Sequence, residues 1–226
     1  MATRLPLEQE TLGSRPSSPV FMKMILASNL SFLLTHGYAL TGIPKNRMKI
    51  GYIITASKGA SSTEYIRKIE KELQENGYNF AEFDFEDKTR EQIEKFFEDK
   101  DVIHIEGGDT FYLLKAIKKT GFDKILIKML IGGKIYVGTS AGASIMGPSI
   151  EFSSHIPSNA SEEDLKALGL APFLIKCHYT DDQKQEFKKR SQAIRYPVKF
   201  LRDGQGILVE GDKYTFIGEG SEVRLD

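Results

Sequence analysis

The chain has 226 residues, 40% of them hydrophobic and 27% charged, and its 31 basic and 31 acidic side chains give a formal net charge of zero. That length can bury a core of its own, and the charge balance leaves nucleic acid or an anionic membrane without an electrostatic case as the main partner. A single cysteine, Cys177, excludes an internal disulfide and a Cys-rich metal site and suits a reducing cytoplasm, while no apolar run approaches the roughly 20 residues of a membrane span.

Residues 1–21 mix Pro, Ser, Gly and charge without periodicity, and a second Met start follows them. They are expected to be a leader or disordered extension, with residues 22–226 forming one domain. From Met22 onward "MKMILAS", "MKIGYIITAS", "YNFAEFDF", "DVIHIEG" and "KIYVGTS" read as five strands. Several have too little alternation for a solvent face, which predicts a sheet covered on both sides. Helical patterns lie between them. Tyr65, Ile66, Ile69 and Leu73 share one face of "SSTEYIRKIEKELQENG", with Gly77 placed to end it; "KTREQIEKFFED" and "TFYLLKAIKKTG" behave alike, the second stopping at Gly121. This alternation predicts a doubly wound, mostly parallel α/β sheet with right-handed crossovers. After a further helix in "DDQKQEFKKRSQAI", the runs "PVKFL", "GILVEG", "KYTFIG" and "SEVRLD" read as edge strands or a hairpin closing the same domain.

Ligands of a parallel α/β sheet gather at the carboxyl ends of the strands, and two exits there are marked by glycine. In "YVGTSAGAS" the pattern is Gly-x-Ser-x-Gly, in which the central serine occupies a strained strand-to-helix turn and small neighbours make room for its backbone. Ser140 is then a nucleophile, and the Ala141 N–H points at a developing oxyanion. Small residues also pack at βα turns without chemistry, so the pattern needs a base and an acid beside it. The other exit, Glu106-Gly-Gly-Asp-Thr110, lacks the spacing of a phosphate-binding loop. Asp109 there can cap the helix starting at Thr110. If the two exits are adjacent, the Gly108 N–H supplies a second oxyanion donor. Of the four histidines, His36 lies in an early turn or helix and His104 in a strand, as a core residue. His155 lies in a Ser/Pro loop, and His178 sits where an apolar run meets a polar turn. For the acid, Asp109, Glu151, Asp181, Asp182 and Asp203 all stand open.

The segments "EGGDTFYLL", "GGKIYVGTSAGAS", "LGLAPFLIKCHYTDD" and "VKFLRDGQGILVEG", in that order, resemble the S51 serine peptidases, a family that includes peptidase E and cyanophycinase. The resemblance runs from about Met24 to the end of the chain. It implies a sandwich related to class I glutamine amidotransferase domains and a catalytic triad of Ser140, His178 and Asp203. Gly108 and Ala141 are the implied oxyanion donors, and no metal or organic cofactor is required. The implied activity is hydrolysis of short peptides, dipeptidase-like, through an acyl-enzyme, in a cytoplasmic protein acting as monomer or homodimer. Asp109, Thr110, His155 and Arg190 are the candidate substrate-binding residues.

Three departures stand out. Asp203 replaces the Glu of peptidase E, Asp109 replaces an Asn, and the arginine-bearing segment after the histidine is not reproduced, so strict aspartyl specificity is not implied. A non-peptide amidase or acyl hydrolase, and a non-catalytic binding module on the same fold, are the alternative readings. Cys177, adjacent to His178, is expected to be a buried apolar thiol rather than a second nucleophile.

Overall fold

A computed structural model describes residues 22–225; the expected leader, residues 1–21, lies outside them. The five strands expected in the first half are present as β1 (Lys23–Ala27), β2 (Lys49–Ile53), β3 (Asn79–Phe83), β4 (Val102–Ile105) and β5 (Ile135–Thr139). With β8 (Gln205–Glu210) and β9 (Lys213–Gly218) they make one seven-stranded sheet in the order β3-β2-β4-β5-β1-β8-β9. The first five pair in parallel, whereas β8 runs antiparallel to β1 and β9 antiparallel to β8. Residues before β8 therefore reach the same edge of the sheet as residues after β1, β4 and β5.

Both faces are covered because side chains alternate along each strand. Met24 and Leu26 of β1, Ile103 and Ile105 of β4 and Tyr136 of β5 enter one core cluster. They pack there against α3 (Arg90–Phe97), α4 (Thr110–Thr120) and α5 (Phe122–Ile131). Ile25 and Ala27, Val102, and Ile135 and Val137 enter the opposite cluster. That cluster is closed by α1 (Leu30–Phe32), the π-helical turn Leu33–Gly37 and α2 (Glu64–Glu75). The doubly wound, mostly parallel arrangement read from the sequence is the one observed.

Local signals set the boundaries. Thr89 caps α3 in a reciprocal box with Gln92. Gly121, left-handed at φ 68°, ends α4. α5 was not expected. Its sequence FDKILIKMLI is apolar over most of its circumference, and a short apolar run does not reveal its period. Two further expectations are corrected. "PVKFL" does not join the main sheet: β7 (Val198–Phe200) pairs in parallel with β6 (Leu174–Lys176) in a separate two-stranded sheet. The described residues of "SEVRLD" form no strand, only the bridge Val223–Phe200. These elements and α8 (Lys184–Gln192) enclose a third cluster of Phe152, Leu174, Tyr179, Phe187 and Phe200. The short helices α6 (Ala141–Ser144) and α7 (Glu162–Leu165), with 3-10 turns at Ala39–Thr41, Thr55–Gly59 and Asp181–Gln183, are the remaining helical elements described. No helix among the described residues is long and apolar enough to cross a membrane.

Candidate active site

The site lies over the carboxyl ends of β4, β5 and β1, which are consecutive in the sheet. At the end of β5 the chain turns through Ser140 at φ 48°, ψ −105° into α6, a conformation costing a non-glycine residue about 1–3 kcal/mol. The turn is held by its own backbone and its neighbours. Ser140 N–H donates to Ala27 O at 3.0 Å, Ser144 N–H to Ser140 O at 2.9 Å, and Tyr136 O–H to Gly142 O at 2.6 Å. The glycines are steric requirements. A Cβ on Gly142 would lie 2.1 Å from Ile105 O, and one on Gly138 2.5 Å from Gly142 O. Only hydrogen side chains let the elbow nest against β4.

Ser140 Oγ lies 3.0 Å from His178 Nε2, and His178 Nδ1 lies 2.7 Å from Asp203 Oδ1. His178 follows β6 at φ 56°, and Asp203 lies in the turn before β8. The one-methylene-shorter acid therefore reaches the ring at full hydrogen-bonding distance. Both side chains are about half exposed, His178 by 49% and Asp203 by 60%. Of the other acids considered from the sequence, Asp181 pairs with Arg202 at 2.6 Å and Asp109 accepts Tyr112 N–H at 2.8 Å as the cap of α4. Neither stands beside His178.

The two glycine-marked exits are neighbours, as β4 and β5 are paired. Asp109 N–H donates to Ala56 O and Gly107 N–H to Glu106 Oε1, while Gly108 N–H and Ala141 N–H are engaged by no described group. Gly108 takes φ 143°, and a Cβ there would fall 2.4 Å from Ala56 O. Beneath this loop is a buried network that the sequence did not reveal. Glu106 also accepts Thr139 O–H at 2.5 Å and Tyr52 O–H at 3.1 Å. His104 reaches Tyr38 Oη through Nδ1 at 2.8 Å. Burial lowers the His104 pKa to about 4, so a neutral imidazole occupies the core, as expected of it.

A cavity of about 210 Å³ opens onto Ser140 and His178, with Gly108 and Thr110 on one wall and the loop Phe152–His155 on another. Of the substrate-binding candidates, the structure brings Thr110 and His155 to this cavity and leaves Asp109 and Arg190 outside its walls. Arg190 is held on α8 by Glu186, by the Glu151 carbonyl and over the rings of Phe152 and Phe187. Sequence reading missed two polar wall residues. Lys176 lines the cavity half-buried, its pKa lowered by desolvation. Ser153 Oγ is buried with no hydrogen-bond partner among the described residues. Lysine at a strand end and serine in a loop are too common for either to be singled out without the fold. Cys177 is buried, with its thiol pushed up to about 12 by burial.

Comparison with known proteins identifies the family. The family model for peptidase family S51 matches residues 31–217. An uncharacterized peptidase of Listeria innocua is 33% identical over 148 residues, 64% of this chain and 69% of that protein. Peptidase E of Shewanella amazonensis is 28% identical over 197 residues, 83% of this chain and 77% of that one. Among solved structures, a Listeria monocytogenes protein assigned to peptidase E superposes with TM-score 0.74 at 25% identity, covering 88% of this chain and all of its own. A peptidase from an acI-B1 actinobacterium shares the fold, with TM-score 0.68 at 16% identity over 89% of each chain. With the family model spanning most of its length, this chain belongs to peptidase family S51 and is a serine peptidase.

Proposed function

We propose that the protein is a cytoplasmic, dipeptidase-like hydrolase of short peptides, with Ser140 as nucleophile, His178 as base and Asp203 as the group that orients the imidazole. The observation that carries this reading is the continuous chain Ser140 Oγ–His178 Nε2 and His178 Nδ1–Asp203 Oδ1, at 3.0 and 2.7 Å, built on a strained elbow. As Ser140 Oγ attacks the scissile carbonyl carbon, its proton passes to His178 Nε2, and the carbonyl π electrons move onto oxygen. Two backbone donors with no competing partner, Gly108 N–H and Ala141 N–H, are aimed to receive that oxyanion. Collapse breaks the C–N bond, the imidazolium gives its proton to the departing amine, and Ser140 is left as an ester. Water, deprotonated by the same His178 nitrogen, then releases the acid product.

The cavity supports a small substrate. At about 210 Å³ it lies below the 300–1,000 Å³ range of drug-sized ligand sites. The Lys176 ammonium has no carboxylate within ion-pairing distance among the described residues, which favours substrates that bring one. Thr110 and His155 complete the wall.

The reading is tested by intact-mass spectrometry after exposure to a small fluorophosphonate. One adduct is expected on the wild type, with none on Ser140→Ala or His178→Ala. Asp203→Asn should slow labelling by about 10²–10⁴-fold, the range set by losing the imidazole tautomer. A well-folded wild type that takes no adduct at neutral pH refutes the assignment.

A further inference from the structure

We propose that Ser28 is a positioning residue for this triad, a single buried hydroxyl that fixes the base and the acid together; the inference rests on the roles given above to Ser140, His178 and Asp203. Ser28 follows β1 and is fully buried. Its Oγ donates to Asp203 Oδ1 at 2.9 Å and accepts the backbone N–H of His178 at 3.0 Å. A hydroxyl has one proton and two lone pairs, so the two bonds are compatible and fix the direction of the proton. Leu201 O, at 3.5 Å, is the weaker of its two acceptors.

The exposure of the site explains why such a residue is needed. Asp203 and His178 are too open to solvent to be held by packing alone. His178 is left-handed at φ 56°, so its backbone must be restrained from both sides. Ser28 holds its N–H, and the following residue, Tyr179, donates its own N–H to Leu201 O at 3.0 Å. Asp203 Oδ1, the oxygen bonded to His178 Nδ1, is the one that Ser28 also reaches. Occupied by that donor, the carboxylate is held as an acceptor facing the ring. This keeps the proton on Nδ1 and leaves Nε2 free to accept from Ser140. Asn29 extends the grip, its Oδ1 accepting Gly204 N–H at 3.2 Å. The end of β1 thus ties together two segments 150 and 175 residues away in sequence.

The experiment measures fluorophosphonate inactivation and the low-field proton spectrum of the wild type, Ser28→Ala and Ser28→Cys. The cysteine variant retains side-chain bulk but offers only a weak donor, and it answers the question alone if Ser28→Ala does not fold. We expect the limiting inactivation rate to fall at least tenfold with the inhibitor's apparent affinity changed less than twofold. The His178 Nδ1–H resonance should broaden or vanish in the variants. Folded variants that react at the wild-type rate with that resonance intact overturn the role of Ser28 alone. A wild type that does not react removes the triad assignment and this proposal with it.

Discussion

Ser140 and Cys177 lie close together at the site, and their surroundings separate them. Ser140 Oγ has an imidazole nitrogen at 3.0 Å. Cys177 Sγ faces the carbonyl oxygens of Ala27 and Ser140 at 3.7 and 3.8 Å, acceptors that stabilise the thiol and repel a thiolate. Because burial pushes its pKa to about 12 and the thiolate is the reactive form, iodoacetamide at pH 7.5 is expected to leave Cys177 unmodified. Fluorophosphonate labelling of Ser140 should then proceed at an unchanged rate. Carboxymethylation of Cys177 with a parallel loss of labelling would contradict that view. Asp109 resolves a similar question by geometry. The extra carboxylate beside the proposed oxyanion donors is turned onto Tyr112 N–H, where the N-terminal partial charge of α4 favours it.

At the scale of elements, the elbow depends on how closely α6 approaches β4. A methyl on Gly142 meets Ile105 O at 2.1 Å, and β4 cannot retreat because it is paired with β2 on one side and β5 on the other. Gly142→Ala is therefore expected to lower the unfolding free energy by about 2 kcal/mol or more and to abolish labelling. Gly132→Ala, whose nearest contact would be 3.3 Å at the end of α5, should do far less; urea unfolding midpoints compare the two. Equal effects would show that the tight contact is not what Gly142 serves. This elbow was legible in the sequence because its constraint is local, written in five consecutive residues. The strands were legible too, since burial on both faces leaves continuous apolar runs. The rest was hidden for definite reasons. α5 lacks a readable period, the pairing of β6 with β7 outside the main sheet is set by partners that three-residue runs do not reveal, and the role proposed for Ser28 comes only from partners far along the chain. The acid proposed for the triad, open among five carboxylates by position, was narrowed only through resemblance.

For the whole molecule, the buried network under the site ties stability to pH. His104, facing Tyr38, Thr139 and Glu106, is held neutral with a pKa lowered to about 4, against about 6.5 in an unfolded chain. Between those values the unfolded chain takes up a proton that the native state refuses, so native stability falls as pH falls, by up to roughly 3 kcal/mol. Glu70 acts in the opposite sense. Its hydrogen bond with Glu82 raises its pKa to about 7, so the folded protein retains a proton that the unfolded chain releases above about 4.5. That contribution grows on acidification through the same window. The Glu70–Glu82 pair lies toward solvent and is screened, whereas His104 is wholly enclosed, so the effect of His104 dominates. Carboxylates whose pKa is lowered by partners, such as Asp84 and Glu86, lose their contribution only at lower pH and do not obscure the interval from 6.5 to 4.5. Urea midpoints across that interval should therefore drop on acidification in the wild type, drop more steeply in Glu70→Gln, and rise slightly in His104→Gln, where Glu70 alone remains. A His104→Gln profile as steep as the wild type would place the acid sensitivity outside the core beneath the candidate active site.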